Sequence, residues 1–307
     1  MALVNNSEIM IPARAGGYAV GAFNTSNLEI TQAIFAAAAE LASPVIVATS
    51  QSAIKYAGYK NIHAMTSHLA DEARVPASLH LDHGTDLDVI RACIEIGWTS
   101  VMIDGSHLPF NENVELTRRV VELARPRKVS VEAELGRLMG VEDEITVGEG
   151  DATYTDPDEA REFVDRTECD SLAVAIGTSH GAYKFAGQPK LAIDRLRRIA
   201  ELVTIPLVLH GASAVPPEVL DLARRYGTKL EGARGVPPES IREAIEHGIA
   251  KVNIDTDLRL AFTGGVRRLL SEEPEVFDPR KILGAARDNM KQVVRSKMEL
   301  FGSVGKA

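Results

Sequence analysis

Residues 206–213 read PLVLHGAS: three aliphatic residues, then histidine, glycine and small polar residues. Two other stretches have the same form, SLHLDHG at 78–84 and SLAVAIGTSHG at 171–181. Each short apolar run reads as a buried β-strand, and each is closed by a His-Gly pair. If the three strands lie parallel and side by side, His83, His180 and His210 meet at one rim, and three imidazoles at one point are the ligand set of an open catalytic zinc site. The glycine after each histidine lets backbone or a small molecule approach with no Cβ in the way.

Outward from these stretches the chain alternates short strands with longer helical patterns. YAVGAFN, PVIVATS, ASLHLDH, TSVMIDG, VSVEAEL, SLAVAIG, PLVLHGA and AKVNIDT make eight strands, and NLEITQAIFAAAAEL and NENVELTRRVVELA between them show helical spacing. Asn24, Ser50, Asp82, Asp104, Glu134, Gly177, His210 and Asn253 mark the strand ends at intervals of 22 to 43 residues, mostly one βαβ unit each. Eight units predict a closed (β/α)8 TIM barrel with a parallel eight-stranded sheet. An open doubly wound sheet is the competing fold. It lacks support because no G-x-G-x-x-G follows the first strand and polar residues close nearly every strand instead of gathering at one switch point.

The reading is of a single domain over residues 1–307. The segment GRLMGVEDEITVGEGDATYTDPD is too long and glycine-rich for an ordinary connection, which predicts a lid loop at about 136–157. An extra helix is expected at PPESIREAIEHG after His210. A C-terminal helical extension is expected at about 279–302, beyond the barrel, where it could cover one end or meet a partner subunit.

Composition sets limits on function. A chain of 307 residues, 45% hydrophobic and 25% charged, is long enough for a large core. The two cysteines, Cys93 and Cys169, support neither a disulfide framework nor a thiolate metal site, which points to a reducing compartment. With no leader and no apolar run near the length of a membrane span, the expectation is a soluble, cytoplasmic chain with no membrane partner. A net charge of −9 argues against nucleic acid, and means that an anionic substrate needs local positive potential in a cleft.

The polar strand ends carry the chemistry. Strand alternation puts His80 and Asp82 on one face with His83 at the rim, so one neighbour can bind metal while the other exchanges protons. A lone DHG would be read more simply, with Asp82 capping a helix near Thr85 and His83 a hydrogen-bonded rim residue. Three histidines at strand ends reverse that preference. His80 is expected to pack inside the barrel or support the ligands. His63, His68, His107 and His247 lie in helices, a loop and a helix C-terminus and are weaker candidates. The loops after strands seven and eight, HGAS and NIDT, offer backbone N–H groups at Gly211 to Ser213 and at Asp255 and Thr256 for a phosphate, with full charges from Lys184 and Arg259. Ordinary turn and cap chemistry explains any one of these motifs alone.

Taken in order, LDHG, VEAELG, GTSHG, LHGAS, NIDTDLR and DPR resemble the class II (zinc-dependent) fructose-bisphosphate aldolases, the shorter branch of which also contains tagatose-bisphosphate aldolases. The likeness runs from GAFNTSN to DPRKIL. It implies reversible cleavage of a ketose 1,6-bisphosphate to dihydroxyacetone phosphate and glyceraldehyde 3-phosphate, by a homodimer or homotetramer. By the same resemblance His83, His180 and His210 hold the catalytic Zn2+, whose Lewis acidity spreads the enediolate charge. Asp82 is the acid/base at the C4 oxygen, Glu142 in the lid moves the carbon-bound proton, and Asn253 steadies the enediolate. Gly181, Lys184, Gly211, Ala212, Ser213, Asn253, Ile254, Asp255 and Thr256 match the segments around the ketone-side phosphate. Asn24, Ser50 and Arg259 belong to the substrate site, with Ser50, Arg259 and Arg280 of a second subunit at the other phosphate. Asp104 and Glu134 match a second divalent metal site or else support the first, and a monovalent cation is implied beside the phosphate. Three imidazoles suit Co2+ and other divalent ions as well as Zn2+.

Three other functions fit parts of the pattern. A Schiff-base aldolase needs a lysine in a mid-barrel strand; SLAVAIG and PLVLHG have none, and Lys251 stands at the start of its strand. A metal-dependent barrel hydrolase accepts the histidines but leaves the phosphate loops, Lys184, Arg259 and Arg280 without a purpose. A barrel that has lost its activity would not keep candidates for metal, proton and phosphate roles together.

Overall fold

The computed structural model describes residues 3–137, 139–142, 145–147, 153–180, 191–229 and 235–307, with 139–142, 145–147 and His180 described by backbone alone. Eight parallel strands close into a barrel: β1 (Val20–Asn24), β2 (Val45–Ser50), β3 (Ala77–Asp82), β4 (Ser100–Ile103), β5 (Ser130–Leu135), β8 (Ser171–Val174), β10 (Leu207–Leu209) and β11 (Ile249–Ile254). They neighbour one another in chain order, and β11 pairs with β1 to complete the ring. Seven lie within the apolar runs expected from the sequence, and β11 begins one residue before AKVNIDT. Asn24, Ser50 and Asp82 are last residues of their strands, so the C-terminal ends form one polar mouth.

Around the barrel run α2 (Leu28–Leu41), α3 (Gln51–Ala57), α4 (Tyr59–Ala73), α5 (Leu87–Ile96), α6 (Phe110–Ala124), α7 (Pro157–Thr167), α8 (Ile193–Leu202), α9 (Pro217–Arg225), α10 (Pro238–Glu246) and α11 (Thr256–Glu272). Their apolar faces bury the outward strand residues, such as Phe23, Val47, Leu79 and Val252, against Ile34, Ile90, Phe163 and Ile241. A second cluster fills the barrel interior with small residues, Ala22, Ala173 and Ala250 beside Val20, Ile46 and Val208. α1 (Asn6–Gly16) seals it with Ile9, Met10 and Ala13. α1 was not expected from the sequence; its Asn5/Glu8 capping box starts it and Gly17, left-handed at φ 65°, ends it.

Three expectations change. The segment after β5 is not simply a loop: β6 (Met139–Glu142) and β7 (Ile145–Val147) form a hairpin pairing Glu142 with Ile145. β6 also runs parallel to β9 (Ser179–His180), with Gly140 opposite His180. Between β10 and β11 the described residues hold two helices, not one, since PEVLDLARR folds as α9 before α10. The cap of α5 is Asp86, two residues before Asp88, whose N–H its carboxylate accepts, so Asp82 is not spent on capping. The C-terminal extension is one helix, α12 (Pro279–Phe301), packed along α11 and α2. Among the described residues no helix is long and apolar enough to cross a membrane.

Candidate active site

At the mouth, His83 and His210 come together although 127 residues separate them. His83 follows β3 directly and takes a left-handed backbone at φ 46°, rare for a side chain with a Cβ, which turns its ring from the strand line to the rim. Gly84 completes the turn. A Cβ there would lie 2.4 Å from the carbonyl oxygen of Met102, so only glycine fits. His210 follows β10, and its ring stands edge-on to that of His83 with centroids 4.6 Å apart.

The second nitrogen of each imidazole goes to a carboxylate. His83 Nδ1 donates to Asp104 Oδ2 at 3.1 Å, and His210 Nε2 donates to Glu132 Oε1 at 2.8 Å. These bonds leave His83 Nε2 and His210 Nδ1 facing each other at 2.8 Å, lone pair to lone pair once no proton lies between them. Two such lone pairs repel unless a cation or proton lies between them, so this donor set fits a metal that accepts imidazole nitrogen. Burial, then the neighbouring His83, lowers the pKa of His210, which keeps it neutral, as a ligand must be. Burial alone would raise Asp104, but the hydrogen bond and charge of His83 outweigh it and hold the carboxylate below its usual range. Glu134 Oε2 lies 3.9 Å from His83 Nδ1 and 3.7 Å from His210 Nδ1. Ligand atoms of Asp82, His83 and His210 fall within 4.8 Å of one another, as do those of His83, Asp104 and Glu134.

Beneath the histidines lies a buried charged layer that the sequence reading missed. Lys251 Nζ donates to both oxygens of Glu132 at 2.8 Å and to His80 Nε2 at 3.2 Å. His80 Nδ1 in turn lies 2.8 Å from Ser100 Oγ. Desolvation pushes Glu132 up, but the Lys251 charge and the His210 hydrogen bond outweigh it, so the carboxylate stays ionised. Burial and the Lys251 charge press His80 down to about 3. The signal was strand alternation: His80 with Asp82, Glu132 with Glu134 and Lys251 with Asn253 are each two residues apart, so each pair shares the inward face in two successive layers. Lys251 therefore stands closer to the site than its place near the strand start implied, with Glu132 alone between it and His210. Its ammonium is sealed from solvent and fully engaged, which removes it as a Schiff-base nucleophile.

Beside the two histidines, Asp82 is held by two amides. Asn24 Nδ2 donates to Oδ2 at 2.9 Å and Asn253 Nδ2 to Oδ1 at 2.8 Å. The carboxylate is thereby aimed, with both oxygens accepting. Next to it a cleft of about 290 Å³ is lined by Asn24, Ser50, Asp255 and Arg259 among others, so four expected substrate residues share one cavity. Ser50 also caps α3, accepting from Ala53 N at 3.3 Å. Arg259 reaches back to Asp255 at 2.8 Å. Ala212, Ser213 and Ile254 are buried at the mouth, and Gly211 takes φ 60° after His210. Thr256 opens α11, whose start no side chain caps among the described residues. Arg280 does not line the cleft; it is 89% exposed and pairs with Asp278 at the head of α12. Gly181, Lys184 and the side chains of His180 and Glu142 lie outside the described residues, though the backbone of His180 sits in β9 and that of Glu142 in β6.

A closed parallel barrel with carboxylate-backed imidazoles and a clamped aspartate at its C-terminal mouth defines a metal-dependent (β/α)8 enzyme. Comparison narrows the class. The model of the family "Fructose-bisphosphate aldolase class-II" matches residues 4–306. The fructose-bisphosphate aldolase of Thermus caldophilus is 56% identical over 305 residues, 99% of this chain and 100% of that protein. The enzyme of that name from Helicobacter pylori strain 26695 is 48% identical, covering 99% of each chain. Among solved structures, the YdjI aldolase from Escherichia coli K12 superposes with a TM-score of 0.80 at 32% identity, over 99% of each chain. The chain belongs to the class II fructose-bisphosphate aldolase family.

Proposed function

We propose that this chain reversibly cleaves fructose 1,6-bisphosphate to dihydroxyacetone phosphate and glyceraldehyde 3-phosphate, with zinc as its metal. The observation that carries the reading is the pair of facing nitrogens on His83 and His210, each imidazole locked by its own carboxylate, next to an aimed Asp82. His180 is the third residue to hold the ion. When bound, the metal supplies Lewis acidity for the negative charge that develops on the ketone side of the substrate.

The chain's own residues do the rest. Asp82 takes the proton from the C4 hydroxyl as the C3–C4 bond breaks and returns it in the aldol direction. Two donated hydrogen bonds from Asn24 and Asn253 hold its carboxylate in one orientation until substrate arrives. Asn253 then turns its amide toward the developing charge. Glu142 carries the proton to and from carbon, and closure of its segment keeps water from that step. Gly181, Lys184, Gly211 to Ser213, and Asp255 and Thr256 at the start of α11 hold the ketone-side phosphate, with a monovalent cation beside it. Ser50 and Arg259 hold the other phosphate, joined by Arg280 from a second subunit of a homodimer or homotetramer. Asp104 and Glu134 support the metal histidines, and a second divalent ion between them is the alternative role. The setting is the cytoplasm.

The test compares cleavage of fructose and tagatose 1,6-bisphosphates by the native enzyme, by chelated enzyme, and after zinc or cobalt is restored. The expected result is preferential cleavage of the fructose epimer, abolished by chelator and recovered with metal, with no adduct trapped by borohydride. A borohydride-trapped lysine adduct, or ester hydrolysis without aldol cleavage, would contradict the proposal.

A further inference from the structure

Lys297 is a lysine where the packing calls for none. It lies on α12 and is only 2% exposed. Its Nζ donates to the carbonyl oxygen of Ala214 at 2.6 Å and lies 2.7 Å from Oδ1 of Asp257, which is completely buried. Ala214 belongs to the loop after β10 and Asp257 to the first turn of α11. One ammonium thus ties together the two segments that follow the seventh and eighth barrel strands.

The tie has a directional consequence. Ser213 O accepts from Val236 N at 3.3 Å, and Ala214 O accepts from Lys297, so successive carbonyls of this loop point back into the protein. In a planar trans peptide the N–H points opposite to the C=O, so the N–H groups of Ala214 and Val215 are turned the other way. The backbone of Gly235 packs directly against this loop, so close that a Cβ there would lie 2.4 Å from Ser213 O and only glycine fits. Asp257 raises a second matter. A carboxylate in the first turn of a helix is favoured by the dipole, but its charge offsets the positive end that a phosphate would use. Lys297 cancels that charge from behind. A well-packed apolar pair would hold α12 on α11 at least as well as a buried ion pair, which argues that the pair serves geometry and potential.

We propose that Lys297 is a positioning residue of the phosphate site: it fixes the loop after β10 against the start of α11 and neutralises Asp257, so that both segments present donors to one phosphate of the substrate. The inference rests on assigning the ketone-side phosphate to these two segments. It also gives α12 a part in substrate binding as well as in packing.

Lys297→Met is compared with the native enzyme for KM, kcat, zinc content and competitive inhibition by inorganic phosphate. The expected result is a rise of about tenfold in both KM and the phosphate inhibition constant, with kcat and zinc content nearly unchanged. If the single variant fails to fold, the same comparison is made in the Asp257→Asn background, where no buried carboxylate is left unpaired. A lower melting temperature with KM and phosphate inhibition within twofold of native would show a merely structural lysine and overturn the proposal. Ser213→Ala is measured in parallel. If it weakens phosphate inhibition and Lys297→Met does not, the inference about Lys297 falls alone; if neither does, the phosphate assignment falls and takes the inference with it.

Discussion

The two halves of the barrel mouth are built in different ways. The metal half is made of buried side chains that hold one another: Asp104 holds His83, Glu132 holds His210, and Lys251 holds Glu132. The half proposed for phosphate is made of backbone, a helix start and the Arg259 guanidinium, which is 59% exposed. On the proposed assignment, side-chain bonds fix the proton and metal chemistry before substrate arrives, while the phosphates meet backbone held from behind by Lys297 and an exposed guanidinium that can adjust. Changes in the metal half should therefore appear in kcat or metal content, and changes in the phosphate half in KM.

The sharpest test of that division is Asp82→Ala, which should retain zinc and lose roughly 10²–10⁴-fold in kcat. Loss of metal in this variant would mean that Asp82 is itself a ligand and would break the contrast within the metal half. Next in size is Glu132→Gln. It leaves Lys251 buried without its counter-charge and His210 without its anchor, so zinc affinity measured by competition with a chelator should fall about 10–100-fold. The apo-protein should lose about 3–5 kcal/mol in denaturant titration, and Lys251→Met added to Glu132→Gln should recover much of the stability but not the metal affinity. Arg259→Ala should raise KM about tenfold with kcat little changed, and the increase should shrink at high salt because the guanidinium is exposed. A fall in kcat instead would place Arg259 in the chemistry.

The smallest expected effect concerns pH and the layer below the site. His80, ordinarily near 6.5, is held at about 3 by burial and by Lys251, so the unfolded chain takes up a proton there that the folded chain refuses. Its contribution to stability is full above 6.5 and is lost as pH falls from 6.5 toward 3. His80→Gln should remove up to about 1.4 kcal/mol per pH unit of slope in that window. Glu132 and Asp104 are held below their ordinary 4.5 and 3.8, so the stability they add is full above those values and is lost as pH falls below them, overlapping the lower part of the His80 window.

The same contrast explains what could be read from the chain alone. The eight strands were legible because short apolar runs closed by polar residues recur at one-unit intervals, and His83 and His210 because a histidine at a strand end has few structural uses. Glu132 and Lys251 escaped because a charged residue inside an apolar strand reads as a strand boundary or as noise until closure of the barrel brings three distant strands around one point. α1 escaped for a similar reason: a three-turn helix with Pro12 inside it has a purpose only as the plug of a barrel bottom. The role of Asp104 as the partner of His83 also depended on tertiary contact, since the sequence offered it equally as a metal ligand. Lys297 did leave a sign that was passed over: on α12 it falls at helical spacing within the apolar stripe of Met290, Val293, Val294, Met298 and Phe301, where a solvated lysine does not belong.

The most direct measurement is anomalous diffraction at the zinc edge from crystals of the native enzyme. The account predicts one strong peak at about 2.0–2.1 Å from Nε2 of His83, Nδ1 of His210 and a ring nitrogen of His180, with Asp104 and Glu132 still on the far nitrogens of the first two. A peak elsewhere, or coordination through His83 Nδ1 or His210 Nε2, would contradict it.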